Sequence, residues 1–165
     1  MRQVTLSLAI FFALSLMISC QSGPSQADQD YQKLLVQEDS IAQADQMLQT
    51  EHDRLMTEHQ DLRQQIGAMA NPDTTLLETL AGQDAMMANH EAILKKHQQL
   101  RQSHDELKQK MQTGNMSNEE KEAQVDEMRN NQQTMLDEIQ QMRNENDDFR
   151  QTHENIRDKI QNGKM

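Results

Sequence analysis

The sequence predicts an all-α protein, an elongated antiparallel three-helix bundle with coiled-coil packing. Three observations lead to this fold class. Good helix formers such as Gln, Glu, Leu, Met and Ala dominate, while the chain has only 5 Gly and 2 Pro. Aromatic residues are too few to fill the core of a sheet protein. Apolar residues also recur every seven residues along three long segments, which is the coiled-coil period.

The N-terminal segment differs from the rest of the chain. Arg2 precedes an apolar run over 4–17, which is short of the roughly 20 residues that a membrane span needs and fits the apolar region of a secretory signal. Cys20, the only cysteine, follows the run. The lipobox-like Met17-Ile18-Ser19-Cys20 resembles the signal of bacterial lipoproteins, in which an apolar and one or two small residues precede an obligatory cysteine. Met17 departs from the more usual leucine.

The resemblance implies cleavage before Cys20 and diacylglycerol on its sulfur, so that 1–19 is a lipoprotein signal peptide and 20–27 a lipidated cysteine with a flexible tether. Such acyl chains, at about 0.8 kcal/mol per buried CH₂, form a stable anchor. Gln21 stands where an Asp tends to mark inner-membrane retention, so the resemblance favours the outer membrane, facing the periplasm. An ordinary cleaved signal and an uncleaved anchor remain alternatives.

The helical coiled-coil domain is predicted over 28–162, and it contains three helices at about 28–70, 74–112 and 117–161. Asn71-Pro72 ends the first helix, because Pro disfavours a helical conformation in the residue before it. The second helix begins at Thr75-x-x-Glu78, a capping box, with Asp73 and Thr74 as further possible caps.

Thr113-Gly114-Asn115 ends the second helix, and Ser117-x-x-Glu120 begins the third. The short connections require neighbouring helices to be antiparallel. A two-helix hairpin whose third helix docks on a second molecule is the alternative.

The heptad position d carries an apolar row in each helix. These rows are Leu34, Ile41, Leu48, Leu55, Leu62 and Met69; Thr79, Met86, Ile93, Leu100 and Leu107; and Met128, Met135, Met142, Phe149 and Ile156. Position a is mostly polar and contains all six histidines, each followed three residues later by Leu or Ile. Met128, Met135 and Met142 could suggest a copper(I) site, but thioethers fill irregular cores well, and we interpret these residues as core.

Folding the second helix back at Asn71-Pro72 predicts which residues meet. If each a residue faces a d residue of the other helix, the layers include Leu55/His90 and His52/Ile93. Polar neighbours on the resulting ladder are His52 with His90, Asp45 with His97, and Glu38 or Asp45 with His104.

Three interpretations of the buried histidines are open. Polar a residues fix the register of a coiled coil. Facing helices could instead hold zinc or nickel through His52, His90, His97, His104, Asp45 and Glu38, although residues seven apart lie about 10.5 Å apart along one helix and cannot share an ion. A pH response is the third interpretation, because imidazole titrates near neutrality.

Composition narrows the function. The net charge of −11 argues against nucleic acid as a partner. Neither a catalytic nor a cofactor signature occurs, so the sequence predicts no enzyme, no catalytic residue and no cofactor beyond the lipid on Cys20. We expect a cell-envelope lipoprotein that acts as a helical spacer or interaction rod, with the membrane and other proteins or its own copies as partners. The alternative is a periplasmic metal- or pH-responsive binding protein that uses the histidine ladder.

Overall fold

The computed structural model describes residues 25–114 and 116–162, which form three α-helices and no strand. α1 spans Gln26–Gly67, α2 spans Thr74–Thr113 and α3 spans Asn118–Gln161. The predicted all-α three-helix bundle is confirmed. The predicted signal peptide over 1–19 and the acylated Cys20 lie outside the described residues. None of the three helices combines the length and apolarity needed to cross a membrane.

Local side-chain chemistry sets the helix ends. Ser25 begins α1 with a capping box, in which its hydroxyl accepts from the Asp28 backbone N–H and the Asp28 carboxylate accepts from the Ser25 N–H. Ser117 and Glu120 form the predicted capping box of α3. α2 begins with Asp73, whose carboxylate accepts from the Thr75 N–H, so the predicted Thr75-x-x-Glu78 box is not used.

The other ends depart little from the prediction. α1 ends at Gly67, three residues before the predicted end at 70. α2 ends where Gly114 takes a left-handed conformation, with φ at 67°, which Gly adopts at no steric cost.

The helices alternate in direction and pack along their whole length. One end of the bundle clusters Tyr31, Leu107 and Val125, and the other clusters Ile66, Leu76 and Ile156. α1 and α3 therefore run in parallel, and α2 runs against both. Since α3 packs on α1 and α2 of its own chain, the alternative of a two-helix hairpin is wrong. At 1.5 Å per residue each helix is roughly 60 Å long.

The core consists of successive levels, a level being the side chains that the three helices place at the same height. Three apolar levels are Leu48/Leu94/Met142, Leu55/Met87/Phe149 and Leu62/Leu80/Ile156. The predicted d row of α3 is buried throughout, as is that of α1 from Leu34 to Leu62, and the three methionines of α3 lie in the core. Met69 lies beyond the end of α1 and is only half-buried.

The predicted d row of α2 needs correction. Buried positions are held by Leu80, Met87 and Leu94, one residue after the predicted ones. Of the predicted row, Leu107 alone is buried. The other four residues are only half-buried: Thr79, Met86, Ile93 and Leu100. The reason is that a helix in a three-helix bundle faces two neighbours, so its buried stripe is wider than the a and d positions of a two-stranded coil.

Candidate functional site

The most distinctive chemistry of the described residues is a row of polar levels inside the bundle. All six histidines are buried, none more than 5% exposed. With the other a residues they form the polar seam, whose levels are Glu38/His104/Gln132, Asp45/His97/Ile139, His52/His90/Asn146 and His59/Gln83/His153. We name the first two the carboxylate levels and the last two the histidine-pair levels. Successive levels are about 10.5 Å apart along the helix axis.

His97 lies between two carboxylates. Its Nδ1 is 2.8 Å from Oδ1 of Asp45 on α1, and its Nε2 is 2.9 Å from Oε2 of Glu138 on α3. An ionised carboxylate only accepts, so both contacts are satisfied when both ring nitrogens donate, which is the imidazolium form of the ring. Burial alone would lower the pKa of His97, but the two carboxylates outweigh it and raise that pKa. Arg101 also pairs with Asp45, and Lys96 pairs with Glu138 at 2.6 Å.

The second carboxylate level centres on Glu38. Its Oε2 accepts from Nδ1 of His104 at 2.9 Å and from Nε2 of Gln132 at 2.6 Å. Gln132 also donates to the backbone carbonyl of Leu34 at 2.9 Å, which ties α3 to α1. Burial works to raise the pKa of Glu38, and the hydrogen bonds from His104 and Gln132 overcome it and lower that pKa.

The first histidine-pair level joins His52 of α1 to His90 of α2. Their ring centroids are 6.3 Å apart, and Nε2 of His90 donates to Glu145 of α3 at 2.5 Å. Within the described residues, Nδ1 of both rings and both amide atoms of Asn146 are buried without a hydrogen-bond partner. Burial, and then repulsion from His90, lower the pKa of His52.

The second histidine-pair level joins His59 of α1 to His153 of α3. Their rings stack with centroids 5.4 Å apart, and Nδ1 of His59 is 3.2 Å from Nε2 of His153. Nε2 of His59 donates to Asp84 at 2.9 Å, so its Nδ1 is free to accept from Nε2–H of His153, which also lies 3.2 Å from the side-chain Oε1 of Gln83. This network suits two neutral rings. The pKa of His153 falls from 6.5 to about 4, through burial first and then repulsion from His59 and Arg157.

The predicted polar neighbours meet, but the predicted layering is wrong. Asp45 contacts His97, Glu38 contacts His104, and His52 lies beside His90, as predicted. These contacts join a residues to a residues, whereas we predicted that a would face d. Of the two carboxylates proposed for His104, Glu38 is the partner. The wider stripe of α2 explains the difference, because its buried apolar row lies one residue further along than expected.

Sequence reasoning missed the groups that complete the seam. Glu138 and Glu145 of α3 and Asp84 of α2 occupy positions beside a, yet their carboxylates reach the ring nitrogens of His97, His90 and His59. One signal was present: Glu138 and Glu145 are seven residues apart, and each directly precedes an a residue of α3. Without the position of α3 relative to α2, that spacing could not be assigned to particular histidines.

The six residues considered as metal ligands are spread over three levels, so they do not form one site. Among residues 25–114 and 116–162, no group of three or more His, Cys, Asp and Glu side chains is arranged to hold a metal ion. The His97 level illustrates the reason, since Asp45 and Glu138 bind opposite nitrogens of one ring and do not converge on a common point.

Comparison of the whole chain with family models, with curated proteins and with solved structures finds no match. The polar seam and the arrangement of the three helices are therefore the observations from which a function has to be argued.

Proposed function

We propose that the protein is a non-enzymatic lipoprotein of the bacterial cell envelope, a helical rod that is anchored at one end and keeps its other end away from the membrane. One observation carries the proposal: α1 begins at Gln26, only six residues after Cys20. A lipid on Cys20 would therefore hold the rod by the end at which α1 starts. That end also contains the α2–α3 connection, since Tyr31 clusters with Leu107 and Val125.

The opposite end would then lie away from the membrane and be available to partners. It contains the connection between Gly67 and Thr74 and the end of α3 at Gln161, held together by Ile66, Leu76 and Ile156. With 42 residues in α1, the two ends are roughly 60 Å apart. The seam supports a spacer role, because paired polar groups inside a bundle define its register.

The anchor is tested on the full-length chain made in bacteria. We expect the wild-type chain to fractionate with membranes and to carry acyl chains on residue 20 by mass spectrometry. Cys20→Ala should lose both properties while retaining its helical circular dichroism. An unmodified Cys20 in membrane-bound protein would contradict the proposal.

The spacer role is tested by distance from the membrane. Since acylation blocks Cys20, a cysteine introduced at Gln26 or at Asn71 is the single reactive thiol and takes a fluorescent donor. In vesicles with acceptor-labelled headgroups, we expect strong energy transfer from position 26 and weak transfer from position 71, because the second lies roughly 60 Å further along the rod. Equal transfer from both positions would mean that the rod lies flat, which contradicts a spacer.

A further inference from the structure

The polar seam is chemically asymmetric along the rod. Toward the start of α1, His97 and His104 each contact a carboxylate of α1. Toward the α1–α2 connection, the residue facing a histidine is another histidine, as in His52 with His90 and His59 with His153. A neighbouring carboxylate stabilises a protonated histidine ring. Two protonated rings at one level repel each other.

Two charged rings at the His59–His153 level would repel each other at close range. Asp84 of α2 accepts from His59, although Arg63 also pairs with this carboxylate and reduces its attraction. A proton on Nδ1 of His153 would be buried with no acceptor among the described residues. Its charge would lie beside His59 and Arg157, with Glu58 of α1 as the opposing charge, and Gln83 is neutral.

The His52–His90 level also holds two histidine rings. Glu145 of α3 accepts from His90. The ring centroids of His52 and His90 are 6.3 Å apart, so two charged rings at this level would repel each other. Asp53 and Glu91 favour a proton on His52 but do not outweigh burial and His90, and Asn146 of α3 is uncharged.

The carboxylate levels respond in the opposite direction. His97 donates to Asp45 and Glu138. Because its pKa in the folded state is above the ordinary value, a fall in pH protonates His97 without opposing the fold. Arg101 and Lys96 add positive charge at those carboxylates but lie more toward the surface than the buried ring of His97.

His104 has one carboxylate partner, on its Nδ1, and its Nε2 is buried with no hydrogen-bond partner among the described residues. His104 faces the carboxylate of Glu38, with neutral Gln132 as the group from α3, and the charge of Arg101 also acts on Glu38. No second histidine is in ring contact with His97 or His104 among the described residues.

We propose that the seam is an acid-responsive device in which the histidine-pair levels loosen and the carboxylate levels stay closed, so that the bundle opens from the end that holds the α1–α2 connection. The opening exposes the apolar levels Leu55/Met87/Phe149 and Leu62/Leu80/Ile156, which lie among the histidine-pair levels. The rod thereby gains a hydrophobic surface at one end and keeps its structure at the other.

Hydrogen exchange by mass spectrometry on the full-length chain tests this device. After correction for the intrinsic pH dependence of exchange, we expect protection over 52–62, 83–90 and 146–156 to fall at least about tenfold between pH 7.5 and pH 5.0, since each unit between folded and unfolded pKa is a factor of ten. Protection over 34–45, 97–107 and 128–139 should change by less than about threefold. Equal loss in both halves, or no loss in either, overturns the proposal.

A matched pair of variants assigns the response to its histidines. The double variant His52→Gln, His153→Gln removes the two rings that resist protonation, and the tenfold loss should disappear. His104→Gln makes the same substitution at a carboxylate level and should leave the loss unchanged. Persistence of the loss in the double variant overturns the proposal. If the double variant lacks helical circular dichroism at pH 7.5, the proposal is judged on the difference in exchange between the two halves of the unsubstituted chain.

Discussion

At the residue scale, the polar groups of the core fall into paired and unpaired sets. The amide nitrogen of Gln132 donates to both Glu38 and the Leu34 carbonyl, and its Oε1 is buried without a partner, whereas both amide atoms of Asn146 are buried with no partner among the described residues. A paired buried group is close to neutral for stability, but an unpaired one retains its desolvation cost of about 1–3 kcal/mol. Two side chains of similar chemistry, at the same heptad position of the same helix, therefore differ in how many of their polar atoms are paired.

This contrast predicts opposite effects of two shape-conserving substitutions. Asn146→Leu should raise the free energy of unfolding by about 1 kcal/mol, because it removes two unpaired groups and retains the branched shape. Gln132→Met should lower it by about 1 kcal/mol, because the loss of a donor to the half-buried Glu38 and to the Leu34 carbonyl outweighs the removal of the unpaired Oε1. Urea denaturation at pH 7.5 measures both. Destabilisation by Asn146→Leu similar to that by Gln132→Met would show that Asn146 has a partner in solution.

The titration of His97 predicts a pH-dependent contribution to stability. A raised folded pKa means that the contribution of His97 is fully present below the unfolded value of 6.5 and is lost as pH rises through the folded value. His97→Gln should therefore cost more stability at pH 6 than at pH 9. Lys96→Gln, which removes a cation from the same Glu138, should show a smaller change between the two pH values, because His97 keeps both of its carboxylate partners. A penalty for His97→Gln that does not change with pH would mean that His97 is neutral.

Sequence pattern predicted the positions of the histidines better than it predicted their partners. The heptad alone placed all six rings in the core, and the location of Pro72 was enough to bring Asp45 to His97. Glu138 and Glu145 were not predicted, because they lie outside the a and d rows. Which flanking carboxylates reach inward depends on the rotation of α3 about its axis, and the heptad pattern leaves that rotation open.

At the element scale, α2 shows how far the pattern of one helix determines its buried face. Its sequence offers two apolar rows, one through Met86 and Ile93 and another through Met87 and Leu94, and both lie next to the a row. The structure buries the second row and leaves the first half-exposed. The choice depends on where two other helices lie, so the α2 sequence by itself could not decide it, whereas α1 and α3 each offer one dominant row.

The rotation of α2 predicts a large difference between two adjacent methionines. Met87 is fully buried against Leu55 and Phe149, so Met87→Ala should cost about 2–4 kcal/mol through lost burial and the cavity left behind. Met86 is only partly buried beside that cluster, and Met86→Ala should cost less than about 1 kcal/mol. Both changes are measured by urea denaturation. The reverse order would mean that α2 uses the predicted d row after all.

At the scale of the whole molecule, the apolar clusters at the two ends of the bundle and the polar levels between them determine the register of the helices. A shift of one helix by seven residues is therefore unfavourable. Sliding α2 by seven residues along α1 sets Gln83 level with Ile66 and Met111 level with Glu38, in place of His59/Gln83 and Glu38/His104. Glu38 then loses one of its two donors, and the amide of Gln83 is buried among apolar groups, each at a cost of about 1–3 kcal/mol. A seam of aliphatic residues alone would impose no comparable penalty, because all its heptads would be equivalent.

Replacing the polar residues of the histidine-pair levels by apolar ones should make the bundle more stable and its helix register less specific. The variant replaces six a residues by Leu: His52, His59, Gln83, His90, Asn146 and His153. Its midpoint of urea unfolding should rise, because paired polar groups in a core are often less stabilising than packed apolar ones, while Asp84 and Glu145 remain partly hydrated. The levels from Leu48 to Ile66 would then all be apolar, so the helices could pair in more than one register. Sedimentation velocity should therefore resolve more than one species. Asn146→Leu alone, which leaves the other polar levels intact, should sediment as the wild type does. A single species from the six-residue variant, with the wild-type sedimentation coefficient, would mean that the apolar side chains define the register by shape alone.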